Sequence, residues 1–327
     1  MTHIINENKI HTLLANSKAC NSTYVREILI KARELHGLTL EETVELINVN
    51  DQELLEELFT TAAHIKEKIY GRRIVLFAPL YISNLCNNEC LYCAFRATNK
   101  QLVRKFLSQD AIKNETMHLI NEGHKRILLV AGEAYPDNNF QYILKAIAAI
   151  YSVKNRHGEI RRINVNLAPQ EIAEFKHLKD AGIGTYQLFQ ETYHRDTYSK
   201  VHISGKKMNY DWRISAFDRA LVAGIDDVGF GVLFGLYDWR FEVLALIEHA
   251  GYLEEHFGIG PHTISVPRIE PALGSALASK PLAPVNDADF CKLVAILRLA
   301  VPYTGIIMST RESLKMRQKT LALGVSK

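Results

Sequence analysis

No apolar run in this 327-residue chain reaches the roughly 18–20 residues that cross a bilayer; the longest lies around Ile74–Ile82. The first residues, Met1-Thr2-His3-Ile4-Ile5-Asn6-Glu7-Asn8-Lys9, lack the apolar core of a secretory signal. An excess of one charge is also missing. The 39 Lys and Arg against 36 Asp and Glu leave +3, too little to argue for nucleic acid or a membrane surface as partner. Hydrophobic residues make up 47% and charged residues 23%, so nothing in the composition signals disorder. Cysteine is scarce, at five, and without a signal segment the clustered thiols fit a reducing cytoplasm. Cys20 and Cys291 stand alone and read as buried small hydrophobes.

The other three cysteines are concentrated. Cys86, Cys90 and Cys93 fall within eight residues, spaced Cys-x3-Cys-x2-Cys, directly after an apolar run from Ile74 to Tyr81 that predicts a buried strand. Thiols so close must point into one pocket, and three thiolates suit a soft metal or an iron–sulfur cluster. Cys90 and Cys93 alone could form a redox pair, but that motif needs no third cysteine. Zinc would want a fourth ligand, and the nearest downstream histidines, His118 and His124, are six apart on an expected helix. A four-iron cubane held by three cysteines keeps one iron open.

The spacing, with Tyr92 just before the last cysteine, resembles the signature of radical S-adenosylmethionine (SAM) enzymes. That resemblance implies a 4Fe-4S cluster whose open iron chelates the amino and carboxylate groups of SAM. It further implies reductive cleavage of SAM to a 5′-deoxyadenosyl radical.

Residues 1–72 read as a helical extension without strand signal. Ser22-Thr23, Thr39 and Asn50-Asp51 are the expected helix starts. From residue 73 to 327 the pattern changes to apolar runs alternating with amphipathic stretches, which indicates α/β architecture with a parallel sheet. Expected strands are Ile74–Tyr81, Arg126–Ala131, Ile163–Leu167, Thr185–Phe189, Asp227–Phe234, His262–Val266 and Gly305–Met308. Helices are expected at about 109–122, 139–154, 169–181, 210–223, 239–257, 287–300 and 311–323, with Gly123, Gly182, Gly224 and Gly324 as left-handed stops. Seven β/α units predict a TIM-type (βα)8-like barrel lacking its eighth strand, which would leave strands one and seven with unpaired edges.

In such a barrel, catalytic residues lie at the C-terminal ends of the strands. For SAM, Gly132 would let backbone approach the ligand and Glu133 would bind the amino group. Tyr92 could stack on adenine, while Asn166, Gln190 and Glu191 are candidates for ribose and methionine contacts. The bland alternatives are a solvated loop carboxylate for Glu133 and simple packing for Tyr92. Arg268, Ser309, Thr310 and Arg311 would form an anion site for an amino-acid carboxylate, unless the arginines pair with Glu270 or Glu312. Gly229, Gly231 and Gly235 have the wrong spacing for a dinucleotide loop, His194 and His202 read as surface residues, and the basic stretch Lys100–Lys105 is too sparse for nucleic acid.

The segments Ala78–Asn84, Tyr186–His194, Ile225–Gly229, Leu233–Arg240 and Gly260–Arg268 are similar to the tyrosine-cleaving group of radical SAM enzymes, and to the HydG family of FeFe-hydrogenase maturases in particular. The resemblance implies cleavage of the Cα–Cβ bond of L-tyrosine to p-cresol and dehydroglycine. It implies a role in hydrogenase maturation, a reducing electron donor such as flavodoxin or ferredoxin, and contact with other hydrogenase maturases. Arg268, Ser309, Thr310 and Arg311 would hold tyrosine, and His262 would act in later steps. The HydG family carries a further region with three more cysteines for an auxiliary cluster, whereas this sequence stops at Lys327. Synthesis of carbon monoxide and cyanide is therefore not expected of it. The alternatives are ThiH-like 2-iminoacetate synthesis for thiamine, or a truncated cluster-binding chain without turnover.

Overall fold

Helix caps and apolar periodicity shape the first part of the computed structural model, which describes residues 4–16 and 21–327. Cys20 lies outside the described residues. The chain opens with α1 (Glu7–Ala15), α2 (Ser22–Ala32), α3 (Leu40–Ile47) and α4 (Gln52–Tyr70). Asn21 caps α2, Asp51 caps α4, and Thr39 with Glu42 forms a reciprocal capping box on α3. Sequence patterning missed α1 because that helix buries Ile10 alone.

Strands and helices then alternate. The first half runs β1 (Ala78–Ser83), β2 (Glu89–Cys90), α5 (Gln109–Asn121), β3 (Arg126–Ala131), α6 (Gln141–Ser152), β4 (Lys154–Asn155), β5 (Gly158–Glu159), β6 (Arg162–Asn166), α7 (Ile172–Asp180) and β7 (Thr185–Glu191). The second half begins with α8 (Arg195–Val201), β8 (His202–Ser204), α9 (Tyr210–Ile214), α10 (Ala216–Val222), β9 (Asp227–Val232) and α11 (Trp239–Phe257). It finishes with β10 (Thr263–Ser265), α12 (Ala276–Ser279), α13 (Asp287–Ala300), β11 (Gly305–Ile307) and α14 (Leu314–Leu323).

Seven strands build one parallel sheet in the order β1-β3-β6-β7-β9-β10-β11. This is the TIM-type α/β architecture expected above, open rather than a full ring. One row of register runs Val130, Asn166, Gln187, Gly229, Thr263 and Gly305 across the sheet. Their neighbours Leu129, Val165, Tyr186, Val228 and Ile264 are fully buried under the helices. Period-two alternation thus separates a helix-covered face from a lumen face.

Two expectations need correction. Strand one starts at Ala78 rather than Ile74, and the segment before it makes a different contact: the Val75 amide donates to the Ser326 carbonyl at 3.0 Å. The Ser326 and Lys327 amides donate to Ile306 at 3.1 Å, and Met308 to Lys327 at 3.3 Å. Residues 326–327 therefore link β11 to the segment that precedes β1, while β1 and β11 stay the two edges of the sheet. Gly123, Gly182 and Gly224 are left-handed as expected, but Gly324 is extended at φ 176°.

The N-terminal helices share one continuous apolar core with the barrel helices, through Ile10, Ile28, Leu46 and Leu58. Lys292 on α13 donates to the carbonyls of Ile47 and Val49, each at 2.5 Å, and so holds the end of α3.

Candidate active site at the barrel mouth

The cysteine loop leaves the C-terminal end of β1 and is pinned from three sides. Asn84 exchanges bonds with the returning chain: its amide donates to Lys105 at 3.0 Å, its side chain to Val103 at 2.9 Å, and its Oδ1 accepts from Lys105 at 2.7 Å. Cys90 sits in the ribbon of β2 with β8, opposite His202, and Leu91 donates to Val201 at 2.9 Å. From the loop after β10, the Ser275 hydroxyl donates to the Leu91 carbonyl at 2.6 Å. Asn99 donates to Leu273 at 2.9 Å, and Arg96 donates to Gly274. The loop is held by protein groups throughout.

Gly132, expected to let a ligand approach, lets the backbone of this loop approach. A Cβ there would collide with the carbonyl oxygen of Leu85 and lie 2.9 Å from its carbon. Gly205, at φ +89°, does the same for Asn88 and Asn87, whose atoms would lie 2.7 and 2.8 Å from a Cβ.

Cys86, Cys90 and Cys93 are free thiols. Asn88 Nδ2 stands 3.7 Å from the Cys86 sulfur, and the Phe95 amide donates to the Cys93 sulfur at 3.3 Å. Burial pushes the Cys90 thiol up to about 12 and raises Cys93 as well. Buried thiols of this kind ionise when a metal supplies the compensating charge. Among the described residues, no three His, Cys, Asp or Glu side chains converge on one position for a single metal ion. A cubane takes each thiolate on a different iron, so its ligands stand further apart than those of one zinc ion. The donor set fits a 4Fe-4S cluster.

Beside the thiols lies a tetrad of charges. Glu133 accepts from Arg213 Nη1 at 2.8 Å and from Asn88 Nδ2 at 2.8 Å, with Lys207 3.9 Å away. Glu191 accepts from Lys207 at 2.6 Å, with Arg213 at 3.8 Å. The side chains are 3–15% exposed, so the pairs are nearly dry. Burial pushes the Glu133 carboxyl up, but Arg213 and Lys207 outweigh it and hold the group below its usual value. Burial and Arg213 pull the Lys207 ammonium down; Glu191, Cys90 and Glu133 overcome them and keep it charged. Glu191 has φ +74°, a left-handed conformation uncommon outside glycine. Sequence reasoning found the two glutamates and missed Arg213 and Lys207. Their signal was position alone, in the stretch that follows β7 and returns to the mouth.

Tyr92 is buried with Cys90, Val201 and Leu236, and its hydroxyl shares a 2.8 Å hydrogen bond with His202 Nε2. His202, read above as a surface residue, is 1% exposed; burial, Lys207 and Arg213 lower it to about 2. His194 is half-buried and stacks on Tyr237 at 3.7 Å. Asn166 ends β6, and Gln190 and Glu191 end β7. The Gln190 amide nitrogen is buried without a hydrogen-bond partner.

The expected anion site is divided. Arg268 donates to both Glu312 oxygens at 2.9 and 2.5 Å, to Asp287 at 2.9 Å and to the Val285 carbonyl at 3.0 Å. An incoming carboxylate would have to displace Glu312. Arg311 donates to Pro271 at 2.6 Å and lies at the surface. Ser309 and Thr310 instead line a cavity of about 330 Å³ with Leu128, Gln187, Phe189 and Ser265. His262 is at the other end of the barrel, just before β10, 3.8 Å from the Asp227 carboxylate and 2.8 Å from Lys327. A larger cavity of about 900 Å³, lined by His36, Glu254, His262 and Tyr303, opens there, away from the cysteines.

The family model described as the Radical SAM superfamily matches residues 80–250, and that of the Biotin and Thiamin Synthesis associated domain matches 265–327. The chain is 30% identical over 297 residues to the 2-iminoacetate synthase of Escherichia coli strain K12, covering 90% of this chain and 76% of that protein. A crystal structure of HydG, described as a maturase of the FeFe-hydrogenase, superimposes with a TM-score of 0.96 at 50% identity, over 99% of this chain and 71% of that one. The FeFe-hydrogenase maturase HydG of Carboxydothermus hydrogenoformans gives a TM-score of 0.89 at 45% identity, over 98% and 73% of the two chains.

Proposed function

The chain belongs to the radical SAM superfamily and is of the HydG type, and from that position we propose that it cleaves L-tyrosine at the Cα–Cβ bond. The products are p-cresol and dehydroglycine, delivered toward hydrogenase maturation in the cytoplasm. The single observation that carries this reading is the placement of Cys86, Cys90 and Cys93 at the C-terminal mouth of the barrel beside a balanced, nearly dry charge tetrad.

A 4Fe-4S cluster, when bound by these cysteines and reduced by a donor such as flavodoxin or ferredoxin, supplies the electron that splits the sulfonium of SAM. The residues around it divide the remaining work. Arg213 and Lys207 would meet the carboxylate of the SAM methionine, while Glu133 and Glu191 would accept from the N–H of its amino group. The two cations and two carboxylates balance one another, so the tetrad adds no net charge of its own to the site. Asn166 and Gln190, at the neighbouring strand ends, offer amides to the ribose and methionine. The apolar lumen with Ser309 and Thr310 at its edge receives the tyrosine, at the small end of ligand-pocket sizes, roughly 300 Å³. Walls of Leu128 and Phe189 exclude water from a radical-bearing substrate.

The test is anaerobic reconstitution with iron and sulfide, then assay for deoxyadenosine and p-cresol with and without tyrosine. Tyrosine-dependent formation of both products is expected, with loss of both in Cys90→Ala. Deoxyadenosine without p-cresol, whatever the tyrosine concentration, would rule the lyase out.

A further inference from the structure

We propose that Arg104 is a positioning residue for the cluster: its guanidinium fastens the cysteine loop into a closed ring and carries a positive charge into the loop that bears the thiolates. The inference rests on the reading of that loop as a 4Fe-4S site. Arg104 Nη1 donates to the Asn84 carbonyl at 2.8 Å and to Phe95 at 2.9 Å; Nη2 donates to Arg96 at 2.5 Å and, more weakly, to Ala97 at 3.5 Å. These carbonyls bracket the ligands. Asn84 stands two residues before Cys86, and Phe95 to Ala97 follow Cys93. One side chain therefore joins both ends of the ligand segment.

The residue that carries the fork is itself tied to the loop, because its neighbour Lys105 accepts from the Asn84 amide at 3.0 Å and donates its own amide to Asn84 Oδ1 at 2.7 Å. Among the described residues no carboxylate is paired with Arg104, so carbonyl dipoles alone face its charge. A planar group with five donors can serve several converging carbonyls at once, which a lysine ammonium does less completely. A cation fixed near a thiolate-bound cluster favours its more negative, reduced state and raises the reduction potential. Within the sparse basic stretch Lys100–Lys105, Val103, Arg104 and Lys105 are the residues that bond to the cysteine loop.

Arg104→Lys and Arg104→Gln separate the fork from the charge. In the metal-free chain, both should speed amide exchange across residues 84–99 by about tenfold while the sheet keeps its protection. After anaerobic reconstitution both should hold less iron than the unaltered chain. In a potentiometric titration followed by electron paramagnetic resonance, Arg104→Gln should give a more negative midpoint, with Arg104→Lys close to the unaltered chain. Unchanged exchange and iron content in Arg104→Gln would overturn the fastening role. Equal midpoints in Arg104→Gln and the unaltered chain would overturn the charge role. If Arg104→Gln loses protection across the whole sheet, Arg104→Lys decides: faster exchange confined to the loop supports the proposal, and unaltered exchange refutes it. None of these readouts depends on tyrosine cleavage, so failure of the proposed function leaves them interpretable.

Discussion

Gly132 and Leu85 touch backbone to backbone, with no room for a side chain between the turn after β3 and the loop that carries the cysteines. A Cβ at 132 would strike the Leu85 carbonyl oxygen and stand 2.9 Å from its carbon and 3.3 Å from the Asn84 carbon. All these atoms are backbone, so neither side can rotate away. Gly132→Ala should therefore displace the cysteine loop and destabilise the chain by about 1–3 kcal/mol, the usual cost of overpacking. Iron and sulfide content after reconstitution measures the displacement. Full loading of the alanine variant would show that the loop yields more easily than this contact allows.

Glu133 and Arg213 pair within the tetrad at 2.8 Å, with an arginine side chain only 3% exposed. Removing one partner strands a buried charge, which costs about 3–5 kcal/mol, while removing both strands none. Arg213→Gln and Glu133→Gln should each lower the denaturation midpoint, and the double variant should fall well short of their sum. Additive losses in urea titrations would mean the two groups do not interact in the folded chain.

The sheet was readable from sequence because each strand is a short apolar run before a polar residue, and seven strands in chain order need no long-range inference. Arg126–Ala131 and the helix at 239–257 have the expected bounds, since both are strongly periodic and flanked by breakers. The cysteines were equally plain, because a spacing within one loop is local. What stayed hidden was long-range. Arg213 reaches Glu133 across 80 positions, and Ser275 reaches Leu91 across 184. Tyr92 and His202 satisfy each other's polar atoms across 110 positions, which no linear pattern reveals. Arg268 was legible as an arginine at a strand end, yet its choice of Glu312 over a substrate depends on how α14's approach folds back.

Removal of the metal should leave the barrel standing. The bonds that shape the loop, from Asn84 to Lys105 and from Ser275 to Leu91, join protein to protein and do not pass through a ligand. Chelation under anaerobic conditions should therefore keep the far-ultraviolet circular dichroism of the loaded chain and lower its denaturation temperature only by the linkage of metal to the folded state. Collapse of the helical signal on chelation would show instead that the cluster is needed for folding.

Glu242 supplies the clearest dependence of stability on pH. It is buried on α11, where it accepts from the Thr192 hydroxyl and, at 2.9 Å, from the Tyr193 amide, directly behind the strained Glu191. Burial lifts its carboxyl from 4.5 to about 8, and the nearby Asp238 and Glu7 push the same way. The folded state thus keeps a proton that the unfolded chain has released. Between about pH 4.5 and pH 8 the native state binds more protons than the unfolded state, so stability must fall as pH rises through that window. Buried His249 works lower down: burial depresses it to about 3, so its contribution is lost as pH falls below the ordinary histidine value. Glu242→Gln keeps an acceptor for the Tyr193 amide and removes the ionisation. Its stability, from chemical denaturation of the metal-free chain at pH 5, 6.5 and 8, should decline less with pH than that of the unaltered chain. The difference should reach the order of a few kcal/mol at pH 8. Parallel pH profiles for the two would place the proton elsewhere and remove Glu242 from the account.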